Sequence, residues 1–306
     1  ARWIVSRENP LTARVAVNRF WQELFGRGLS RTSDDFGAQG EKPSHPELLD
    51  WLAAEFIEKG WDVKGILKTI VTSQTYRQSS FVSRQLAQVD PENRLLARAP
   101  RLRLAGNVLR DQSLAVSGLL VEKQGGPSVF PYQPDRLWEE ASNAKYKVGK
   151  GQDLYRRSLY TYWKRTLAPP TMAVLDTADR ESCAVRPKVT NTPLQALTLM
   201  NDITFVEAAR KFAERILSEG GTTHQQRIDF AFRSVTSRHP NTGELEILSQ
   251  AWEKYRVETA QNPEKAKALL RVGQSSATQK FPAVELAAAT AFANVLLNLE
   301  EVTTRE

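Results

Sequence analysis

The chain is poorest in the residues that most often carry chemistry. Its 306 residues contain one cysteine, three histidines and two methionines. A single thiol excludes an internal disulfide, a cysteine-rich zinc site and covalent haem attachment through C-x-x-C-H. The histidines, His45, His224 and His239, form neither H-x-x-x-H nor H-E-x-x-H. His45 precedes Pro46 and His239 precedes Pro240, so both read as punctuation at helix entries. No apolar run approaches the ~18 residues that a membrane span needs. Asp34-Asp35 sit in a Gly-containing loop without the Asn and Glu spacing of a Ca²⁺ loop. The first residues, ARWIVSRENP, lack an initiating Met and the order of a signal peptide, which reads as a segment of something longer or as a processed product.

What is present describes a folded, basic, mostly helical chain. Apolar residues make up 41% and charged residues 25%, enough for a sizeable core and ordinary for a globular protein. The net charge is +7. Residues 51–200 hold 22 Lys or Arg against 14 Asp or Glu, while the remainder holds 20 against 21. The excess is central, which is compatible with an anionic partner or a solvated basic surface.

Capping signals recur along the chain. Asn9-Pro10 predicts a helix start, with Leu11, Val15, Trp21 and Phe25 at helical spacing and Gly26 as the stop. Ser44 to Glu47 has capping-box spacing ahead of Leu48, Leu49, Leu52 and Phe56. Asp62 caps a helix carrying Val63, Ile66, Leu67 and Ile70. A long helix is expected over 102–120, ended by Gly125-Gly126-Pro127. After Thr192-Pro193, helices are expected near 193–200, 203–218, 223–236, 243–259, 264–272 and 283–298. SLYTYWK, Ser158 to Lys164, is the best strand candidate. The expected fold class is mostly α: an irregular multi-helix domain with long loops and a small β element near 158–164. Two lobes are expected, a helical 1–120 and a helical 157–306, joined by a Pro/Gly/Lys-rich loop over 121–156 or merged into one domain.

Two stretches point to binding. In YRRSLYTYWKR, Tyr160, Tyr162 and Trp163 interleave with Arg156, Arg157, Lys164 and Arg165. On a strand, Tyr160 and Tyr162 share one face and Leu159, Thr161 and Trp163 the other. Such a face suits sugar rings or bases, and the cations add affinity for anions. In RESCAVRPKVTNTPLQALTLMND, Arg180, Arg186 and Lys188 lead into a helix start at Thr192-Pro193. Arg180, Glu181, Arg186 and Asn191 are the candidate ligand pocket, because unpaired N–H groups at a helix start attract anions. The plainer reading is that Glu181, Asp179 or Asp176 supplies the anion internally. Cys183, with no histidine near it in sequence, is expected to be buried and inert. Catalytic residues are not identifiable. The loop acids Asp34, Asp35, Asp176, Asp179 and Glu181 are the only candidates for a carboxylate pair.

Several long blocks together resemble a known family. NPLTARVAVNRFWQELFGRGLSRTSDDFGAQGEKPSHPELLDWLAAEF resembles the opening of the C-terminal Planctomycete-specific domain, a domain of unknown function. DPENRLLARAPRLRLAGNVLRDQSLAVSG resembles its second block. GGPSVFPYQP and the stretch from Tyr155 to Asp202 resemble its middle, and ELAAATAFANVLLNLEEV its end. Pro187 stands where that pattern has a second basic residue after Arg186. The resemblance implies an exported multidomain context, often with a cytochrome c domain, and hence a periplasmic or extracellular location. It implies no catalytic residues and no cofactor in this segment; haem would belong to upstream domains. The leading expectation is an accessory or interaction domain that binds an acidic glycan or an upstream domain of the same polypeptide. A polysaccharide-acting enzyme using loop carboxylates is the alternative. A nucleic-acid-binding module is third, with no helix-turn-helix, zinc-finger or RNA-binding signature behind it.

Overall fold

The structure, a computed structural model, describes residues 1–141, 145–164, 166–178, 180–181, 183–185 and 189–305. Among these there are fifteen α-helices and one two-stranded sheet, Leu102–Arg103 with Thr304–Arg305. The fold is mostly α with a small β element. The chain divides into two compact units, Ala1–Leu102 with Thr304–Glu306, and Arg103–Thr303. Residues 121–156 therefore lie inside the second unit.

In the first unit, helices Thr12–Phe25, Pro46–Glu58 and Val63–Val71 enclose one core. Val17, Trp21 and Phe25 recur on one face and meet Leu49, Leu52, Phe56, Ile66 and Ile70. The Trp21 and Phe25 rings stack at 4.1 Å. Asn9 Oδ1 accepts from the N–H groups of Leu11 and Thr12. Asp62 accepts from the Gly65 N–H, as its spacing predicts. Gly26 ends the first helix at φ 75°, a left-handed conformation that glycine adopts without strain. Buried Asn18 then anchors the following loop, donating to Ser30 O at 3.0 Å and accepting from the Ser30 N–H at 2.9 Å. The expected box at Ser44 and Glu47 does not form. His45 is the N-cap and Pro46 opens the helix, while the Ser44 N–H is engaged by Leu29 O at 2.9 Å.

The second unit is built on helix Ile203–Glu219 packed against Ala283–Leu297. Ala208, Ala209 and Ala213 on the first and Ala287, Ala289 and Ala293 on the second are essentially without solvent exposure. Small residues at facing positions let the backbones approach closely. Phe212, Ile216, Phe292 and Leu296 then fill the space to Ile228, Phe232 and Trp252 of the surrounding helices. The helix expected over 102–120 is shorter, Gly106–Val116. Thr192 caps Pro193–Asn201, as the sequence predicts, and Asp202 caps Ile203–Glu219.

Residues 158–164 do not form a continuous strand. Ser158–Tyr160 is a 3-10 turn, followed by single bridges Val129–Thr161 and Lys164–Leu167. The cause lies on helix Gly106–Val116. Asp111 Oδ1 accepts from both the N–H and the Oγ of Ser158 at 2.7 Å. Buried Arg110 donates to the carbonyls of Arg156 at 2.9 Å and Leu154 at 2.7 Å. Asp111 thereby takes the Ser158 donors at the start of the segment, and Arg110 holds two carbonyls just ahead of it.

Candidate functional site

The 3-10 turn splits the expected Tyr160 and Tyr162 face. Tyr160 turns to Arg156, whose guanidinium carbon lies 3.7 Å from its ring centre. The Tyr160 hydroxyl accepts from the Gly125 N–H at 2.8 Å. Arg156 in turn donates to the carbonyls of Pro127, Lys123 and Gly125. Tyr160 and Arg156 therefore tie down residues 123–127, a structural task.

Tyr162 belongs to a different constellation. The Val129 N–H donates to Tyr160 O and the Tyr162 N–H to Val129 O, both at 2.8 Å. This pairing sets Tyr162 beside Phe130, where the rings stack at 4.8 Å and 20°. Tyr146 meets Phe130 edge-on at 5.6 Å and Trp138 at 5.0 Å. Trp138 also lies 5.7 Å from Tyr162. The Tyr146 hydroxyl donates to Pro131 O at 2.6 Å. Burial pushes that phenol's pKa well above its ordinary value, so it stays a neutral donor. The four rings are only partly covered, Tyr162 being 37% exposed. Lys164 Nζ lies 4.7 Å from the Trp138 ring centre, and exposed Lys145 and Lys147 flank Tyr146. The result is a partly exposed aromatic face with Lys164 at its edge. Sequence reasoning found Tyr162 and Lys164 but missed Phe130, Trp138 and Tyr146, which lie in a stretch whose Pro, Gly and Lys content reads as plain loop.

Trp163 points elsewhere. The Arg180 guanidinium carbon lies 4.6 Å from its ring centre. Arg180 is exposed at φ 65°, and Glu181 and Asn191 are also exposed. Arg186 and Lys188 lie outside the described residues, as does Asp179. The organising group is Asp176, whose Oδ2 accepts from the Thr190 N–H at 2.7 Å, Thr190 Oγ1 at 2.6 Å and Gln195 Nε2 at 2.9 Å. These donors outweigh the burial of the carboxylate and hold its pKa below the usual range. The space beside it is about 10 Å³, too small for a ligand. Asp176, one of the internal carboxylates of the plainer reading, holds Thr190 and Gln195 beside this helix start.

That clamp also explains Cys183, which is exposed rather than buried. Asp176 and Thr190 join the two ends of the intervening loop. Arg180, Glu181, Cys183 and Ala184 are all exposed between them.

A buried ionic centre lies on helix Ile203–Glu219. Glu207 and Arg210 are 1% and 0% exposed, 3.7 Å apart. Glu207 accepts from the hydroxyls of Tyr132 and Tyr155 at 3.0 Å and from Ser275 N–H and Oγ at 2.7 Å. Arg210 donates to Ser275 O at 2.6 Å and to Glu214 at 3.2 Å. Burial first, and then the nearby Glu207 charge, push both tyrosine pKa values up. Every carboxylate oxygen is occupied, so the centre pins the 273–278 segment and offers no open acid for chemistry. Sequence reasoning missed it because a Glu and Arg three residues apart look like any surface helix pair.

Among the described residues, no group of three His, Cys, Asp or Glu could hold a metal ion, and no helix is long and apolar enough to cross a membrane. Asp34 and Asp35 belong to the first unit, where Asp35 Oδ1 accepts from the Gly37 N–H at 2.7 Å. Asp176 and Glu181 belong to the second.

Residues 1–252 match the family described as PSD1, Protein of unknown function (DUF1553), and the chain belongs to that family. No curated protein and no solved structure matches it.

Proposed function

We propose that this member of the PSD1 family is a non-catalytic accessory domain, and that its aromatic face in the second unit holds an acidic glycan. The observation that carries the reading is the cluster of Phe130, Trp138, Tyr146 and Tyr162 with Lys164 at its edge. Ring faces of this kind accept the C–H faces of sugars, and an adjacent ammonium favours a carboxylate- or sulfate-bearing sugar. The resemblance to planctomycete multidomain proteins supports an exported setting in which such a domain tethers neighbouring domains to a polysaccharide.

The enzyme reading has less behind it. Glycoside hydrolysis needs two carboxyl groups ~5–10 Å apart in a cleft. Asp176 is engaged by three donors and Glu207 by four, so neither is placed to act on a sugar.

Titration with oligogalacturonate, followed by tryptophan fluorescence, tests the proposal. Saturable binding is expected, with at least about a tenfold loss in Tyr162→Ala and a smaller loss in Lys164→Ala. Binding unaffected by both changes would refute the face as the site. Accumulation of new reducing ends would refute the non-catalytic reading.

A further inference from the structure

The first unit holds a cavity of about 570 Å³ where the end of helix Thr12–Phe25 meets residues 80–102. Five arginines line it: Arg27, Arg31, Arg94, Arg98 and Arg101. One carboxylate, Glu92, faces them. Glu92 engages Arg31 at 2.7 Å and Arg27 at 3.5 Å, and the Arg31 hydrogen bond holds its pKa below the usual range. Arg98 donates to the carbonyls of Asp90 at 3.0 Å and Pro91 at 2.9 Å, and, after the N–H groups of Leu95 and Arg94, its charge helps to hold the Asp90 carboxyl below the usual range. The Asp90 carboxylate is itself occupied, by the N–H groups of Arg94 and Leu95 at 2.8 Å. Arg94 is exposed, and its guanidinium makes no hydrogen bond or ion pair among the described residues. Glu92 and the neighbouring Asp90 offset two of the four charges of Arg27, Arg31, Arg94 and Arg98, which leaves a net positive lining.

The wall is also stiff. Asn93 and Leu96 both hold left-handed backbone, at φ 52° and 54°. Gln78 Nε2 fixes Leu96 O at 2.6 Å and Asn93 Nδ2 fixes Arg98 O at 2.8 Å. A leucine held left-handed costs free energy that the surrounding bonds must offset. Val82, Leu96 and Leu102 supply apolar atoms to the same lining.

We propose that this cavity binds a phosphate or sulfate monoester carrying a small apolar body. Guanidinium forks match the oxygens of such groups, and the volume suits a small molecule or a single terminal group. The site is separate from the aromatic face and stands or falls without it.

Calorimetric titration of the whole chain with phenyl phosphate, phenyl sulfate and inorganic phosphate tests this. One saturable site is expected for at least one ester, tighter than for inorganic phosphate and weakened by added NaCl. The ester that binds more tightly identifies the oxyanion. Arg94→Glu should weaken binding about tenfold or more, and Glu92→Gln should tighten it severalfold by releasing Arg27 and Arg31. Tyr162→Ala should leave it unchanged. Thermal melts establish that each variant is folded, and Arg94 is exposed enough for its change to be tolerated. No saturable binding of either ester below about 10 mM, or affinities indifferent to both Arg94→Glu and Glu92→Gln, would overturn the proposal.

Discussion

Replacing Glu207 by Gln removes one charge and almost no volume from the second unit. The amide keeps Oε1, so Tyr155 and both Ser275 donors retain an acceptor. The amide nitrogen replaces Oε2, and the Tyr132 hydroxyl loses the acceptor it donates to. That hydroxyl accepts from the Gln274 N–H at 2.7 Å and then faces a second donor, the new NH₂, so its own O–H is left without an acceptor unless the site rearranges. An orphaned buried donor costs ~1–3 kcal/mol. Arg210, with no exposure, also loses a counter-charge 3.7 Å away. At an effective dielectric of ~20 that attraction is ~4–5 kcal/mol. Glu214 at 3.2 Å retains part of the compensation, and removing a buried carboxylate recovers its own desolvation cost. The balance is a loss of ~3 kcal/mol, equivalent to about 6–12 °C in melting temperature for a unit of this size. Urea denaturation followed by circular dichroism measures it. A loss below ~1 kcal/mol would show that the Glu207 network is replaceable and would refute its role in pinning the 273–278 segment.

Three further outcomes follow from the same contacts. Asp176→Ala should destabilise the second unit by ~2–3 kcal/mol, because Thr190 and Gln195 lose a shared acceptor, whereas exposed Arg180→Ala should cost under ~1 kcal/mol; equal effects in thermal melts would contradict the assignment of Asp176 as the organiser. Cys183 should react stoichiometrically with a thiol reagent in the native protein, and protection until unfolding would show that it is covered. Glu244 is hydrogen-bonded by Arg238, which lowers its pKa to about 2. A carboxyl depressed in the folded state stabilises above its unfolded value near 4.5 and loses that contribution as pH falls toward about 2. Carbon-detected NMR titration should therefore give a Glu244 midpoint near the lower figure, and a midpoint near 4.5 would rule out the Arg238 contact in solution.

Helices were the most legible part of the sequence. Their starts are written in local chemistry, such as Thr192-Pro193, Asp62 and Asn9, and local hydrogen bonds form wherever the chain goes. Ser44 misled because its backbone N–H had a better partner, Leu29 O, fifteen residues back. The 158–164 segment has the composition of a strand. Asp111, more than forty residues away, takes the Ser158 N–H and hydroxyl, and composition carries no record of it. The same distance hid the aromatic face. Tyr162 is visible as an aromatic, but its stacking on Phe130 is set by one backbone pairing with Val129. The arginine cavity escaped for a related reason: Arg27 and Arg31 lie far in sequence from Arg94, Arg98 and Arg101. In the 180–191 stretch the chemistry was anticipated, with anion and donors at a helix start. The anion is Asp176, and the loop beyond it is left exposed.

The alanine-lined pairing of Ile203–Glu219 with Ala283–Leu297 has a consequence for biosynthesis. The first helix leaves the ribosome roughly 80 residues before the second is complete. At ~5–20 residues per second, Phe212, Ile216 and the surrounding alanines wait about 4–16 s for the surface that will cover them. During that interval the nascent second unit lacks the helix that supplies the largest part of the cover for this apolar stripe.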